Sequence, residues 1–501
     1  MKEFDFEKMP IVEIVNEIIM DSVKKNVSDI HFDPTKENIK IRIRIDGILS
    51  DYSIIPGKYK RNMISRIKMI AGMNIMETRL PQDGAIKSRI GKKMLDLRVS
   101  SLPTNCGEKV VIRILDYSKS LQGLDTLGFS EDSLKKIEKM VEVPNGIILV
   151  TGATGSGKST TVYSILQKMN TPDVNIITVE DPVEMDIVGI NQVQAQSEIG
   201  LTFASVLRSI LRQDPDIIMI GEIRDDETAR IAVRASITGH KVLSTIHTNN
   251  SLNTIERLTD MDVERYLLGS ALTGIISQKL ARRLCPHCKQ LRDTTPYEKN
   301  VFKVVLNKEV NQMFDANKDG CDKCFRGYNG RIGLYEVLLM NEDIRDAITN
   351  AMPKHELRKL VYKSDVITLL QDGLEKVALG ETSWDEVIKL VDLENDLAIH
   401  RAIEAELEEE IEASLKDKDK FSTENELIKK LKNQQPVSNE DEVDMELLKQ
   451  FESEEAGQAP TTPTQTPTPT QTEITQPTEE TNDNSINFAE RSDNIIEQID
   501  L

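Results

Sequence analysis

The 501-residue chain is predicted to have an α/β fold, with a largely parallel sheet in its central domain. Three observations lead to this prediction. Between residues 131 and 284, the apolar runs "IILV", "NIITVE", "DIIMIG" and "KVLSTIH" alternate with helix-type segments. A glycine-rich loop joins the first run to a helix. Strands of alternating polarity precede this region and indicate a separate, smaller α+β domain.

The small domain is predicted over residues 1–116. An amphipathic helix over 11–25 is followed by "IKIRIRIDGIL", whose isoleucines alternate with basic residues before an Asp46-Gly47 hairpin turn. Two further alternating strands, "MLDLRVS" and "EKVVIRIL", carry Arg98 and Arg113 on the faces opposite their apolar residues. Taken alone, these arginines are expected to be ordinary solvated residues. A linker is predicted over 117–130.

The central domain, residues 131–284, contains "GATGSGKST" directly after the strand "IILV". This pattern is typical of a phosphate-binding loop, in which backbone N–H groups and Lys158 face phosphate oxygens and Ser159 ligates Mg²⁺. The dipole of the following helix adds to the attraction for anions. The predicted nucleotide-binding residues are Gly152, Ala153, Thr154, Gly155, Ser156, Gly157, Lys158, Ser159 and Thr160.

Acidic residues follow two of the predicted strands. "VEDPVE" places Glu180, Asp181 and Glu184 after one strand, where a carboxylate can orient or deprotonate an attacking water. "MIGEIRD" places Glu222 after another, on the side expected for Mg²⁺. The C-terminal ends of parallel strands form the nucleotide edge of such a sheet, so both groups are expected beside the loop.

"TGHKVLSTIHT" contains His240 before an apolar strand and His247 at its end. An isolated histidine in either place is usually a structural hydrogen-bonding residue, and the residues alone favour that interpretation.

Four of the five cysteines form two CxxC pairs, Cys285 with Cys288 and Cys321 with Cys324, separated by 32 residues. This spacing predicts a tetrahedral Zn²⁺ site over residues 285–331. The protein fills all four ligand positions, so the zinc is predicted to be structural. The remaining cysteine, Cys106, is expected to be incidental.

Residues 332–398 are predicted to form short helices that complete the folded part. Three segments follow: an acidic, helix-prone extension over 399–458, a Pro/Thr-rich disordered linker over 459–485, and a tail peptide over 486–501. The tail is either a docking peptide or an inert end.

Net charge separates the tail from the rest of the chain. Residues 401–501 contain 26 Asp and Glu against 9 Lys and Arg, so they carry −17 of the net charge of −20. The nearly neutral remainder lacks the basic footprint of duplex-binding proteins, and no nucleic-acid partner is expected. The N-terminus has no signal-peptide pattern, and no run of about 18 apolar residues occurs. A cytoplasmic protein is predicted, with membrane contact only through partners.

In this order and spacing, "GATGSGKST", "VEDPVE", "MIGEIRD" and "TGHKVLSTIHT", together with the earlier "SDIHFDP" and "IRIRIDG", resemble the type II secretion and type IV pilus assembly ATPases. The resemblance extends over about residues 11–398. It implies a RecA-like P-loop core that hydrolyses ATP with Mg²⁺. It also implies that Glu184 is the catalytic glutamate and Glu222 the acid on the Mg²⁺ side, with His240 and His247 sensing the γ-phosphate.

The resemblance assigns a phosphate clamp to four arginines and so replaces the surface interpretation of the first two: Arg98, Arg113, Arg230 and Arg234. It implies a homo-hexamer, peripheral at the inner face of the cytoplasmic membrane, that drives a polytopic inner-membrane platform protein to build a pilus or pseudopilus. The cysteine pairs favour filament assembly over retraction. Two alternatives are a nucleotide-dependent scaffold without turnover and a DNA-translocating motor, the latter disfavoured by the charge balance.

Overall fold

A computed structural model describes residues 1–90, 93–116, 123–363 and 366–391. All of them belong to one of the two units into which the chain divides, Met1–Glu404. The extension, linker and tail predicted over 399–458, 459–485 and 486–501 lie outside the described residues.

The N-terminal domain is a six-stranded antiparallel sheet in the order β3-β2-β1-β6-β5-β4, with two helices packed on its apolar face. Its elements are α1 (Ile11–Lys24), β1 (Asp29–Pro34), β2 (Asn38–Ile45), β3 (Ile48–Pro56), α2 (Lys60–Ile70), β4 (Gln82–Ile90), β5 (Lys93–Thr104) and β6 (Gly107–Asp116). The isoleucines of β2 are buried and the basic residues between them are half-buried. The opposite, polar face carries Arg98 and Arg113, which lie directly across from each other on β5 and β6.

The hairpin turn predicted at Asp46-Gly47 joins β2 to β3. Both residues have positive φ, 48° and 86°, which is the backbone of a tight two-residue turn that matches the twist of the strands. Ile45 and Ile48 are the pair that closes the hairpin.

The remaining elements begin after residue 123. The helices are α3 (Glu131–Glu142), α4 (Lys158–Met169), α5 (Phe203–Ile210), α6 (Asp226–Ile237), α7 (Ser251–Asp260), α8 (Arg265–Ala271), α9 (Pro296–Leu306), α10 (Glu342–Thr349), α11 (Lys354–Lys363), α12 (Leu369–Ala378) and α13 (Trp384–Leu390). The strands are β7 (Gly146–Thr151), β8 (Ile176–Glu180), β9 (Ile190–Gln194), β10 (Ile217–Ile220), β11 (Lys241–Ile246), β12 (Leu272–Leu284), β13 (Gln290–Asp293), β14 (Gln312–Asp315) and β15 (Tyr328–Leu339).

The central sheet has seven strands in the order β15-β12-β7-β11-β10-β8-β9. All neighbouring pairs are parallel except β12 with β15. Apolar residues cover both faces: Ile147 and Leu149 of β7 enter one buried cluster, and Ile148 and Val150 enter the other. This is the parallel sheet with helices on both sides that the alternating pattern predicts, and it aligns the C-terminal ends of the six parallel strands along one edge.

The cysteine region is an excursion from this sheet, made of β13, β14 and α9 between β12 and β15. The domain limit predicted at residue 331 falls inside β15, which pairs with β12 along most of its length. Among the described residues, no helix is long and apolar enough to cross a membrane.

Candidate functional site

The glycine-rich loop leaves β7 at Thr151 and enters α4 at Lys158. At Gly152, where φ is +148°, an added Cβ would lie 2.4 Å from the carbonyl oxygen of Gln278 and 2.5 Å from Oγ of Ser156. Gly157 begins α4 with a left-handed φ of +90°. Only glycine fits this conformation and packing, so the loop can turn its backbone N–H groups inward at the start of a helix, where anions bind.

Polar groups within the loop fit an anionic ligand. Lys158 is buried, and its Nζ donates to the carbonyl oxygens of Gly152 at 2.8 Å and Ala153 at 3.2 Å. Burial lowers the pKa of Lys158, and the charge of Glu222 partly offsets this effect. Among the described residues, the buried Oγ of Ser156 has no hydrogen-bond partner. Phosphate oxygens would supply acceptors to both groups.

Glu222 follows β10 at the same edge of the sheet. Its Oε2 lies 3.2 Å from Nε2 of His247, which follows β11, and its other oxygen accepts a hydrogen bond from Arg224. Burial alone would raise the pKa of Glu222, but Arg224 and His247 lower it overall. Glu222 is therefore an ionised carboxylate, the form in which an acidic side chain ligates Mg²⁺.

Glu184 lies in the loop after β8, and the N-terminal domain reaches it. Nη2 of Arg98 is 3.6 Å from Oε2 of Glu184 and donates to the carbonyl oxygen of Val183 at 3.4 Å. The side chain of Glu184 is 43% exposed, so solvent can reach its carboxylate. The contact joins the two domains at the residue that the motif marks for activating water.

Glu180 and Asp181, the other carboxylates of this motif, differ in their surroundings. Glu180 is only 4% exposed and accepts hydrogen bonds from Tyr163, Thr178 and Gln192, whereas Asp181 is exposed. Because its oxygens are engaged, Glu180 is a structural anchor at the end of β8.

The three remaining predicted arginines make contacts outside the loop or lie exposed. Nε of Arg113 donates to Oδ1 of Asp29 at 3.0 Å, on β6, the strand next to that of Arg98. Arg230 forms an ion pair with Asp226 at 2.5 Å within α6, and Arg234 is exposed one turn later. Neither ion pair involves the loop, and the roles assigned to these arginines stay predictions.

His240 and His247 lie at opposite ends of β11. The Nδ1 atom of His240 is 3.0 Å from the carbonyl oxygen of Ala235, and its own carbonyl accepts from Gly146 at the start of β7. The strand between the two histidines is about 20 Å long at 3.3 Å per residue. Within this chain, His247 therefore lies at the edge of the central sheet that carries the phosphate loop. His240 lies at the opposite edge, where it contacts the C-terminal end of α6.

Gln278 of β12 contacts the loop and was not predicted. It is 2% exposed; its Nε2 donates to the carbonyl oxygen of Ser156 at 2.7 Å, and its Oε1 accepts from Thr161 at 2.8 Å. The available signal was a polar amide in the strand start "LTGIISQ", whose other residues are apolar or small. The sequence also did not predict Arg224, which donates to Glu222, or Tyr163, which donates to Glu180.

Gln278→Met should destabilise the loop, because it leaves the Ser156 carbonyl and the Thr161 hydroxyl without their partner. We expect a loss of about 1–3 kcal/mol in the free energy of unfolding, together with weaker nucleotide binding. Denaturant unfolding and nucleotide titration measure the two effects. The control is Gln312→Met at the exposed first position of β14, expected within about 0.5 kcal/mol of the parent. Equal values for both variants would contradict the assignment.

The four paired cysteines converge. The Sγ atoms of Cys285 and Cys321 are 3.8 Å apart, those of Cys288 and Cys324 are 3.6 Å apart, and all four lie within 4.8 Å of one another. These separations are far longer than a disulfide bond of about 2.0 Å. They match the edge of roughly 3.8 Å of a sulfur tetrahedron around an ion with 2.3 Å bonds. The cluster can hold one metal ion.

Comparison with known proteins gives concordant matches. The family described as "Type II/IV secretion system protein" matches residues 5–389. Type II secretion system protein E of Xanthomonas campestris pv. campestris is 47% identical over 383 residues, covering 76% of this chain and 68% of that protein. The type IV pilus assembly ATPase PilB of Myxococcus xanthus is 44% identical over 381 residues, covering 76% and 67%.

Solved structures agree on the fold. The pilus retraction motor PilT with bound ADP has a TM-score of 0.51 at 25% identity and covers 75% of this chain and 96% of that chain. The Legionella pneumophila ATPase DotB has a TM-score of 0.55 at 22% identity, covering 75% and 95%. The predicted fold class, with its RecA-like P-loop core, and the predicted resemblance are confirmed. The chain therefore belongs to the type II/IV secretion system protein family and is a P-loop ATPase that hydrolyses ATP.

Proposed function

We propose that this ATPase powers assembly of a type IV pilus or a type II secretion pseudopilus by coupling hydrolysis to a polytopic inner-membrane platform protein. The observation that carries the proposal is the contact of Arg98 with Glu184, because it links the N-terminal domain to the loop expected to activate water. A change at the nucleotide can thereby change the placement of one domain against the other. The relatives named for type II secretion and type IV pilus assembly support this proposed function.

The residues have distinct parts in the proposed reaction. Lys158 exchanges its two loop carbonyls for phosphate oxygens, and the backbone of residues 152–160 holds the rest of the phosphate chain. Ser159 and Glu222 would hold Mg²⁺, which neutralises phosphate charge in this chemistry. Glu184 orients the attacking water or accepts its proton.

The arginines couple closure of the domains to charge stabilisation. Arg98 and Arg113 are direct neighbours across β5 and β6, and each already lies beside a carboxylate, Glu184 and Asp29 respectively. An approaching nucleotide would compete with these carboxylates for the two cations. We place Arg230 and Arg234 of α6 on the same clamp, where a homo-hexamer can bring them to phosphates from another subunit.

The proposed location is the inner face of the cytoplasmic membrane, where the platform protein supplies the membrane contact. Steady-state phosphate release by the purified chain, with and without membranes containing the platform protein, tests the function. Stimulation by those membranes is expected. Nucleotide binding without turnover would instead indicate a scaffold, and salt-dependent duplex binding would favour a DNA motor.

The cysteine cluster is proposed to hold structural zinc, and purified protein should contain about one zinc per chain. Cys285→Ser and Cys321→Ser should each lose the metal and destabilise the region between β12 and β15, because three thiolates leave the tetrahedron incomplete. Cys106→Ser is the matched control and should keep the parental zinc content. Elemental analysis that finds no stoichiometric zinc in the parent would remove the proposal.

A further inference from the structure

Tyr163 connects three parts of the nucleotide site through one oxygen atom. It lies on α4, five residues after Lys158, and is 2% exposed. Its hydroxyl donates to the carboxylate of Glu180 at the end of β8 and accepts from the backbone N–H of Glu184 at 3.3 Å. The helix that begins at the phosphate loop is therefore joined directly to the loop that carries Glu184.

The same loop is held from its other side by Gln192 of β9. The Nε2 atom of Gln192 donates to the carbonyl oxygen of Met185 at 2.9 Å and to Glu180 at 3.1 Å, and its Oε1 accepts from the backbone N–H of Ile187 at 2.7 Å. Thr178 completes the bonds to Glu180 at 2.6 Å. Residues 181–187 are thus held by hydrogen bonds to α4 on one side and to β9 on the other.

The phenol is suited to this task. Burial, with the neighbouring charge of Glu180, raises the pKa of Tyr163, so the hydroxyl keeps its proton for donation. Tyr163 lies about 7.5 Å along the helix axis from Lys158, a distance that a continuous helix holds rigidly. The Glu184 side chain is 43% exposed, so its position depends strongly on how its backbone is held.

We propose that Tyr163 is a positioning residue for hydrolysis: it fixes the Glu184 backbone relative to the phosphate loop, using buried Glu180 as its anchor. This inference rests on the role proposed for Glu184. Displacement of a catalytic group by 1 Å can cost about a hundredfold in rate, so the loss of one hydroxyl here should appear in turnover.

The test compares Tyr163→Phe with Tyr52→Phe. Tyr52 is also buried and donates to a carboxylate, Asp21, at 2.7 Å, but it lies in the N-terminal domain. For Tyr163→Phe we expect kcat of phosphate release to fall about tenfold or more, with affinity for a fluorescent ADP analogue within about twofold of the parent. The melting temperatures of the two variants should fall by similar amounts, and Tyr52→Phe should keep parental turnover.

A kcat of Tyr163→Phe within about twofold of the parent, or an equal kcat loss in Tyr52→Phe, would overturn the inference. Glu184→Gln in the same assays separates the two claims. Turnover that survives Glu184→Gln defeats the proposed role of Glu184, whereas inactive Glu184→Gln beside fully active Tyr163→Phe defeats only the positioning role. If Tyr163→Phe does not fold, Gln192→Met tests the same loop: lower kcat with unchanged affinity supports the inference, and parental kcat overturns it.

Discussion

Replacement of Glu184 by Gln is expected to abolish ATP hydrolysis and to leave nucleotide affinity near that of the parent chain. The amide has nearly the size of the carboxylate but cannot accept a proton or carry the charge that orients water. A loss on the order of 10²–10⁴ in kcat is typical when a general base is removed. Affinity should persist because Lys158 and the loop glycines lie on a different element from Glu184.

Phosphate release and nucleotide titration measure the two quantities separately. Asp186→Asn is the matched control, since it makes the same chemical change at an exposed position of the same loop, and it should retain parental turnover. Hydrolysis by Glu184→Gln within a few-fold of the parent would show that another group prepares the water.

Arg113→Ala is expected to lower the hydrolysis rate tenfold or more, while the protein stays folded. The Arg113 side chain is 66% exposed, and its buried partner Asp29 keeps a hydrogen bond from Ser28 and the neighbouring Arg44, so the loss of Arg113 should change stability by less than about 1 kcal/mol. A large fall in rate would therefore come from the reaction and not from the fold. The proposed domain closure includes Arg113 because it lies directly across from Arg98, which contacts Glu184.

Arg44→Ala supplies the control for Arg113→Ala. Arg44 lies on β2, and its Nε is 3.6 Å from the second oxygen of the same Asp29, so this variant removes the other cation beside that carboxylate. It should hydrolyse ATP at the parental rate. A well-folded Arg113→Ala protein with the parental rate would return Arg113 to an ordinary surface residue and remove it from the proposed domain closure.

Much of the fold was accessible from local pattern. Local sequence preferences predicted three kinds of feature that the structure contains. They are the alternating polarity of β2, the Asp46-Gly47 turn and the four apolar strands of the core. The position of β15 was less accessible. Its partner β12 lies more than forty residues earlier, and pairing between segments so far apart is decided by tertiary packing and leaves little mark on either sequence.

The site was predictable where chemistry imposes a motif. The phosphate loop, Glu222 and the cysteine pairs each need specific residue types at fixed spacing, and the structure places them as a loop, a strand end and a sulfur cluster. The support around them was hidden, because Gln278 and Tyr163 act through contacts made by distant elements. The spacing of His240 and His247 did contain usable information, since seven residues of extended chain exceed 20 Å.

The pairing of β12 with β15 has a consequence for how this chain can change. Leu284 and Tyr328 are register partners, and Cys285, Cys288, Cys321 and Cys324 all lie between them in sequence. The pairing of β12 with β15 is complete at the residues where the excursion begins and ends. A metal held by the four cysteines would link the two ends of the excursion to each other. A short turn from Leu284 to Tyr328 would close the same strand pair. Evolution could therefore enlarge, replace or delete these intervening residues as a cassette without disturbing the strand order of the ATPase core.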